Sequence, residues 1–129
     1  MLKAILVGAD LTNDGMFDYY MEELENLAKA SNLEVVYSIT QNINRITPNL
    51  YIGSGKVEEV KMFVDNLDAD IVIFNNELSG SQVRNLEKII DCRVIDRTLL
   101  ILDIFALRAK TKEAMLQVEI AQLEYLFPR

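Results

Sequence analysis

The stretch Tyr51-Ile52-Gly53-Ser54-Gly55-Lys56-Val57-Glu58-Glu59-Val60 holds residue types that could cradle a phosphate. Gly53, Ser54 and Gly55 at a helix start would present backbone N–H groups, and Lys56 would add a cation. A magnesium-assisted triphosphate loop needs more than this. It requires a Gly five residues before its Gly-Lys and a hydroxyl directly after the Lys, and those positions hold Leu50 and Val57. The first reading of this grouping is a helix start with permissive glycines, and the second is a contact with an RNA phosphate. Weak ATP or GTP binding or hydrolysis at the carboxyl edge of a sheet, near Gly8, Asp10 and Gly53 to Lys56, is the alternative.

Other chemistries are limited by what the chain lacks. The sequence has no His and one Cys, so the usual general base, the pH switch and the usual zinc ligands are missing. Cys92 cannot form an internal disulfide and reads as an inert strand residue. A phosphoryl-accepting receiver domain would place Asp at the end of its third strand and an acidic pair after its first. Here the third strand runs out in Asn75 and only Asp10 follows the first. No Gly-x-Gly-x-x-Gly follows that strand either. No metal or catalytic residue is assigned.

Charge is distributed unevenly. Residues 1–83 hold 5 Lys and Arg against 13 Asp and Glu, a net −8, whereas residues 84–129 hold 8 against 7, a net +1. The overall net charge of −7 argues against a generic nucleic-acid binder. A local field depends on placement rather than on the sum, however. Lys56, Arg84, Arg97, Arg108, Lys110 and Lys112 are therefore candidate RNA contacts, against the plainer reading that they are solvated helix faces. Asp96 with Arg97, and Asp103 with Arg108, are charges among apolar residues, for which structural ion pairs are expected before catalysis.

The elements that must position these residues follow from periodicity. Ala4–Val7, Leu33–Thr40, Asp70–Phe74 and Cys92–Ile95 read as strands, and Phe17–Ala30, Gly53–Leu67 and Ser79–Ile90 as helices. Ser79 with Gln82 forms a capping-box pattern, and Thr98 is the expected cap of the last helix. Strict alternation implies right-handed crossovers and an α/β fold. Its sheet should have four parallel strands in the order 2-1-3-4, with helices on both faces. This domain should occupy residues 1–97.

From Thr98 onward no Gly or Pro interrupts the chain before Pro128. One long helix is expected, extending roughly 40 Å at ~1.5 Å per residue. Its first half, Leu99 to Ala109, should pack on the domain. The second half carries Leu116, Ile120, Leu123 and Phe127 at spacings that call for a partner helix, which points to continuation past Arg129 or to a homodimer through this seam. No run is long enough and free enough of charge for a membrane span, the amino terminus is too short an apolar run for a signal peptide, and a cytoplasmic location is expected.

Several of these segments together resemble the amino-terminal domain of the HflX family of ribosome-associated GTPases. They are 51–59, Leu78 to Glu87 (Leu-Ser-Gly-Ser-Gln-Val-Arg-Asn-Leu-Glu), Val94 to Glu113 (opening Val-Ile-Asp-Arg-Thr-Leu-Leu), Leu116 to Leu123, and Phe127-Pro128-Arg129. The resemblance implies that this α/β domain is followed by a helical hairpin, of which the second half of the helix expected over residues 98–129 would form the first arm, and then by a GTPase domain. GTP and magnesium would bind only in that later domain, and no cofactor is expected here. The implied role is a non-catalytic, regulatory, RNA-facing domain acting with its own GTPase domain on the large ribosomal subunit and its rRNA, in ribosome splitting and rescue.

Overall fold

Alternation decides which side chain enters which face of the sheet. In the computed structural model, which describes residues 1–127, four strands form one parallel sheet in the order β2-β1-β3-β4: β1 (Leu2–Asp10), β2 (Leu33–Asn42), β3 (Ile71–Phe74) and β4 (Arg93–Asp96). Ile5, Val7, Val72, Phe74 and Val94 point to one face, where α2 (Ser54–Leu67) and α3 (Gly80–Ile90) cover them with Val57, Val60, Leu86 and Ile90. Ala4, Leu6, Ile71, Ile73 and Ile95 point to the other, under Met21 and Leu24 of α1 (Phe17–Ala30) and Leu100 and Ile104 of α4 (Arg97–Arg108). Both faces are covered, which is why β1 and β3 are continuous apolar runs rather than alternating ones. Each such Ile or Leu, fully buried, contributes about 1.5–3 kcal/mol.

Two local features adjust this frame. A Cβ on Gly8 would lie 2.4 Å from Met21 Sδ and 2.9 Å from Phe17 Cζ, so the start of α1 approaches the end of β1 more closely than a larger residue allows. On the other side of β1, the pairing with β2 shifts between Ala4 and Ile5, whose partners are Val35 and Tyr37, leaving Val36 as the extra residue of a bulge.

The expected sheet, its order and the terminal helix are all present, but helical sequence after β4 is divided. The uninterrupted helix expected over residues 98–129 is instead α4 and α5 (Lys112–Leu126). Ala109 is extended at ψ 124°, and the Thr111 hydroxyl accepts from the Ala114 N–H at 3.0 Å, capping α5. A Thr side chain that satisfies an orphan N–H starts a new helix without any Gly or Pro. Glu113 in the first turn adds a favourable charge at the amino end. The cap expected at Thr98 belongs to Asp96, whose carboxylate accepts from the Leu99 N–H at 3.1 Å.

Packing of α4 is also narrower than its composition suggests. Leu100 and Ile104 are buried, while Phe105 and Leu107 are exposed. The chain then turns back, and α5 runs past the outer edge of β4, bounding a cavity of about 400 Å³ with Val83 and Glu87 of α3, Val94 and Ile95 of β4, and Leu99 of α4. The β4 edge is further blunted because Glu87 accepts from the Val94 N–H at 3.0 Å. Pro128 and Arg129, part of the terminal motif, lie outside the described residues.

Candidate functional site

The carboxyl ends of β1 and β3 flank the point where the strand order reverses, the usual ligand crevice of an open parallel sheet. Here the crevice is partly closed by the chain itself. The Ala9 N–H donates to Asn76 Oδ1 at 2.9 Å, and Asn76 Nδ2 donates back to the Ala9 carbonyl at 3.0 Å. Asn76 also hydrogen-bonds the Tyr51 phenol, whose pKa burial pushes up and that bond partly restores. Tyr51 is buried and holds φ at +68°, a conformation a bulky residue adopts only under constraint. Its carbonyl accepts from the Thr47 N–H, and its own N–H donates to the Thr47 carbonyl, closing the loop before α2.

Arg97 follows from the end of β4 into this edge. Its guanidinium donates to Asn75 Oδ1 from Nε at 2.9 Å and from Nη2 at 2.6 Å, to the Tyr20 carbonyl at 2.6 Å, and ion-pairs with Glu23. The ion pair expected for Arg97 therefore exists, with a partner on α1. Asp96 beside it has no cation among the described residues. It is 3% exposed and accepts from the Leu78 N–H at 3.0 Å, the Leu99 N–H and the Tyr125 phenol, joining the β3–α3 loop, α4 and α5. Asp103 pairs with Arg93 at 3.7 Å and accepts from Gln122 at 3.1 Å, not from Arg108. Burial raises its pKa, and Arg93 and Gln122 only partly offset that.

The glycine grouping forms the start of α2. Gly53 is the N-cap with no side-chain cap, and its N–H reaches Gln41 Oε1 at 3.4 Å. A Cβ on Gly55 would meet open space. The Lys56 ammonium, the cation a phosphate would need, is 2.8 Å from Glu59 and largely enclosed. The capping box at Ser79 is present, with Ser79 N–H to Gln82 Oε1 at 2.9 Å and Gln82 N–H to Ser79 Oγ at 3.2 Å.

The six candidate RNA contacts do not gather into one patch. Lys56, Arg84 and Arg97 lie in the amino-terminal halves of α2, α3 and α4, the helices that start at the carboxyl ends of the strands. Arg108, Lys110 and Lys112 lie at the opposite end, where α4 finishes beside Leu2, Leu33 and Ile71, the first residues of their strands. Lys56 and Arg97 are neutralised by Glu59 and Glu23, whereas Arg108, Lys110 and Lys112 are exposed and have no ion-pair partner among the described residues. On α5 the seam residues Leu116, Ile120, Leu123 and Phe127 are all exposed. Among the described residues no cluster of potential metal ligands is present and no helix is long and apolar enough to cross a membrane.

Sequence reasoning did not single out Asn76 or Tyr125, and it gave Tyr51 no role of its own within the stretch 51–60. Asn76 and Tyr125 act through contacts with residues 67 and 29 positions away, and no local pattern signals either.

Comparison with known proteins completes the description. A family model described as GTP-binding GTPase N-terminal matches residues 18–106. A protein called GTPase HflX from Caldanaerobacter subterraneus subsp. tengcongensis is 53% identical over 109 residues, covering 84% of this chain and 26% of that protein. Another of the same name from Alkalihalophilus pseudofirmus is 50% identical over 126 residues, 97% of this chain and 30% of that one. The chain thus spans about a third or less of these relatives' length. Among solved structures, a GTP-binding protein from the archaeon Sulfolobus solfataricus in complex with GDP superposes with a TM-score of 0.77 at 27% identity, over 99% of this chain and 38% of that one.

Proposed function

Because this chain belongs to the HflX family, as its GTP-binding GTPase N-terminal domain, we propose that it is a non-catalytic, RNA-facing domain that helps seat an HflX-type GTPase on the large ribosomal subunit. GTP hydrolysis and its magnesium belong, in this reading, to a GTPase domain outside the 129 residues, and ribosome splitting or rescue is the task of the whole protein. The observation that carries the RNA contact is the turn between α4 and α5. Arg108, Lys110 and Lys112 crowd five residues of chain, are exposed, and form no ion pair among the described residues. Phosphates take cations of this kind, because displaced counterions drive the association. Lys56, Arg84 and Arg97 are secondary contacts, since an approaching phosphate must compete with Glu59 for Lys56 and with Glu23 for Arg97.

Binding of the domain to purified large subunits across a salt series tests this. The log–log salt slope of wild type should exceed that of Arg108→Gln/Lys110→Gln/Lys112→Gln by about 2–3, at roughly 0.7–0.9 per phosphate contact. An unchanged slope in the triple variant removes these residues from the interface, and binding that ignores salt removes the RNA reading.

A further inference from the structure

We propose that the tyrosine-bearing face formed by the loop after β1 and the first turns of α1 docks an arginine-bearing segment of a protein partner. The face is apolar where a free surface would be polar. Leu11, Met16, Tyr19 and Tyr20 are 37%, 43%, 57% and 42% exposed, and the two tyrosine rings meet edge to face with centroids 5.7 Å apart. Tyrosines displayed together in this way are typical anchors of protein interfaces. Beside them a crevice of about 290 Å³ opens between Asp10, Leu11, Asp14, Tyr20 and Asn76, wide enough to admit one long side chain.

Charge selects the occupant. Residues 10–28 contain six carboxylates and no Lys or Arg. Glu23 is taken by Arg97 and Glu25 by Lys29, and among the described residues Asp10, Asp14, Asp18 and Glu22 have no cation. A polyanion would meet like charge at these carboxylates, so this face suits a cation better than RNA: Lys56 and Arg84 belong to α2 and α3 on the other face of the sheet, and Arg97 is already engaged by Glu23. Arginine fits better than lysine, because its planar guanidinium stacks on tyrosine and engages carboxylate and carbonyl oxygens together. The same face already holds one guanidinium in this manner, since Arg97 bridges Glu23, Asn75 and the Tyr20 carbonyl. The docking face lies at the opposite end of the sheet from Arg108, Lys110 and Lys112, so the two surfaces do not compete.

Fluorescence anisotropy of a labelled oligoarginine nonapeptide with the full 129-residue chain tests the proposal. Tyr19→Ala/Tyr20→Ala leaves the net charge unchanged and should weaken binding about tenfold, whereas Tyr19→Phe/Tyr20→Phe keeps the rings and should stay within about twofold. Glu58→Gln/Asp65→Asn removes two charges from α2, on the far face of the sheet, and should also stay within about twofold. An oligolysine peptide of equal length should bind more weakly. If the alanine pair fails to fold, Asp14→Asn/Asp18→Asn serves in its place and should weaken binding by a similar factor. Equal affinity of the alanine pair and wild type means attraction by bulk charge and overturns the proposal. So does capture of a uridine nonanucleotide at this face in competition with the peptide.

Discussion

Replacing Asp96 by Ala should be among the most damaging single changes in this chain, although the residue touches no ligand. Its carboxylate is 3% exposed and receives three donors: the Leu78 N–H at 3.0 Å, the Leu99 N–H at 3.1 Å and the Tyr125 phenol. Loss of the α4 cap costs about 1 kcal/mol. A Leu78 N–H left buried without an acceptor costs about 1–3 kcal/mol, and loss of the phenol bond to a carboxylate about 1–2 kcal/mol. The total, about 3–6 kcal/mol, is a large share of the roughly 5–15 kcal/mol that holds a domain together. Urea unfolding followed by circular dichroism should show that loss, and calorimetry a fall in Tm of about 10 °C or more. Tyr125→Phe alone should cost only about 1–2 kcal/mol. Combined with Asp96→Ala it should add less than it costs alone, because the bond the two residues share is already gone. A cost below about 1 kcal/mol for Asp96→Ala, or full additivity of the pair, would refute the claim that Asp96 ties α5 to the sheet.

Burial raises the Asp103 pKa, so ionisation of this group works against folding and its protonation favours it. Asp103→Asn should therefore be more stable than wild type near neutral pH, with an advantage that shrinks as pH falls through the folded pKa, readable from melts at a series of pH values; a constant difference would contradict it. Burial and the neighbouring Glu87, Asp70 and Asp91 push the Cys92 thiol up to about 11. Its reaction with an aromatic disulfide at pH 8 should be about 10–100-fold slower in the native than in the unfolded chain, and equal rates would remove that assignment. The exposed seam Leu116, Ile120, Leu123 and Phe127 should drive self-association at high concentration, and Leu116→Glu/Ile120→Glu should abolish it in sedimentation; a wild-type monomer at every concentration would count against this.

Much of the fold was legible in the sequence because it rests on local patterns. Ile71-Val72-Ile73-Phe74 is a strand covered on both faces, Ser79 with Gln82 caps its helix, and alternation of strands and helices implies a parallel sheet with right-handed crossovers. The break between α4 and α5 was not legible, because nothing in Ala109-Lys110-Thr111 forbids a helix. Thr111 ends it only by offering a better partner to the Ala114 N–H. The N-cap was misplaced by two residues for a related reason. Asp96 belongs to the strand by pattern, yet its carboxylate serves the helix. The candidate cations were legible as residues but not as a site. Glu23 is 74 positions from Arg97, so no local pattern shows that this guanidinium is already paired with α1. The turn holding Arg108, Lys110 and Lys112 sits at the opposite end of the sheet from Lys56 only because α4 runs antiparallel to β4.

The bulge at Val36 bears on how this sheet behaves among its own kind. β2 is an outer strand of ten residues, Leu33–Asn42, whose only charged side chain is Glu34, a composition prone to lateral growth into fibrous aggregates. Its register with β1 breaks after Ala4 and Val35, so the strand presents a run of three paired residues, then a kink, then a run of six from Tyr37 to Asn42. A second chain seeking to extend the sheet meets two short templates out of phase rather than one long flat one. Removing Val36 would straighten that border and make an otherwise tractable domain a seed for its own precipitation.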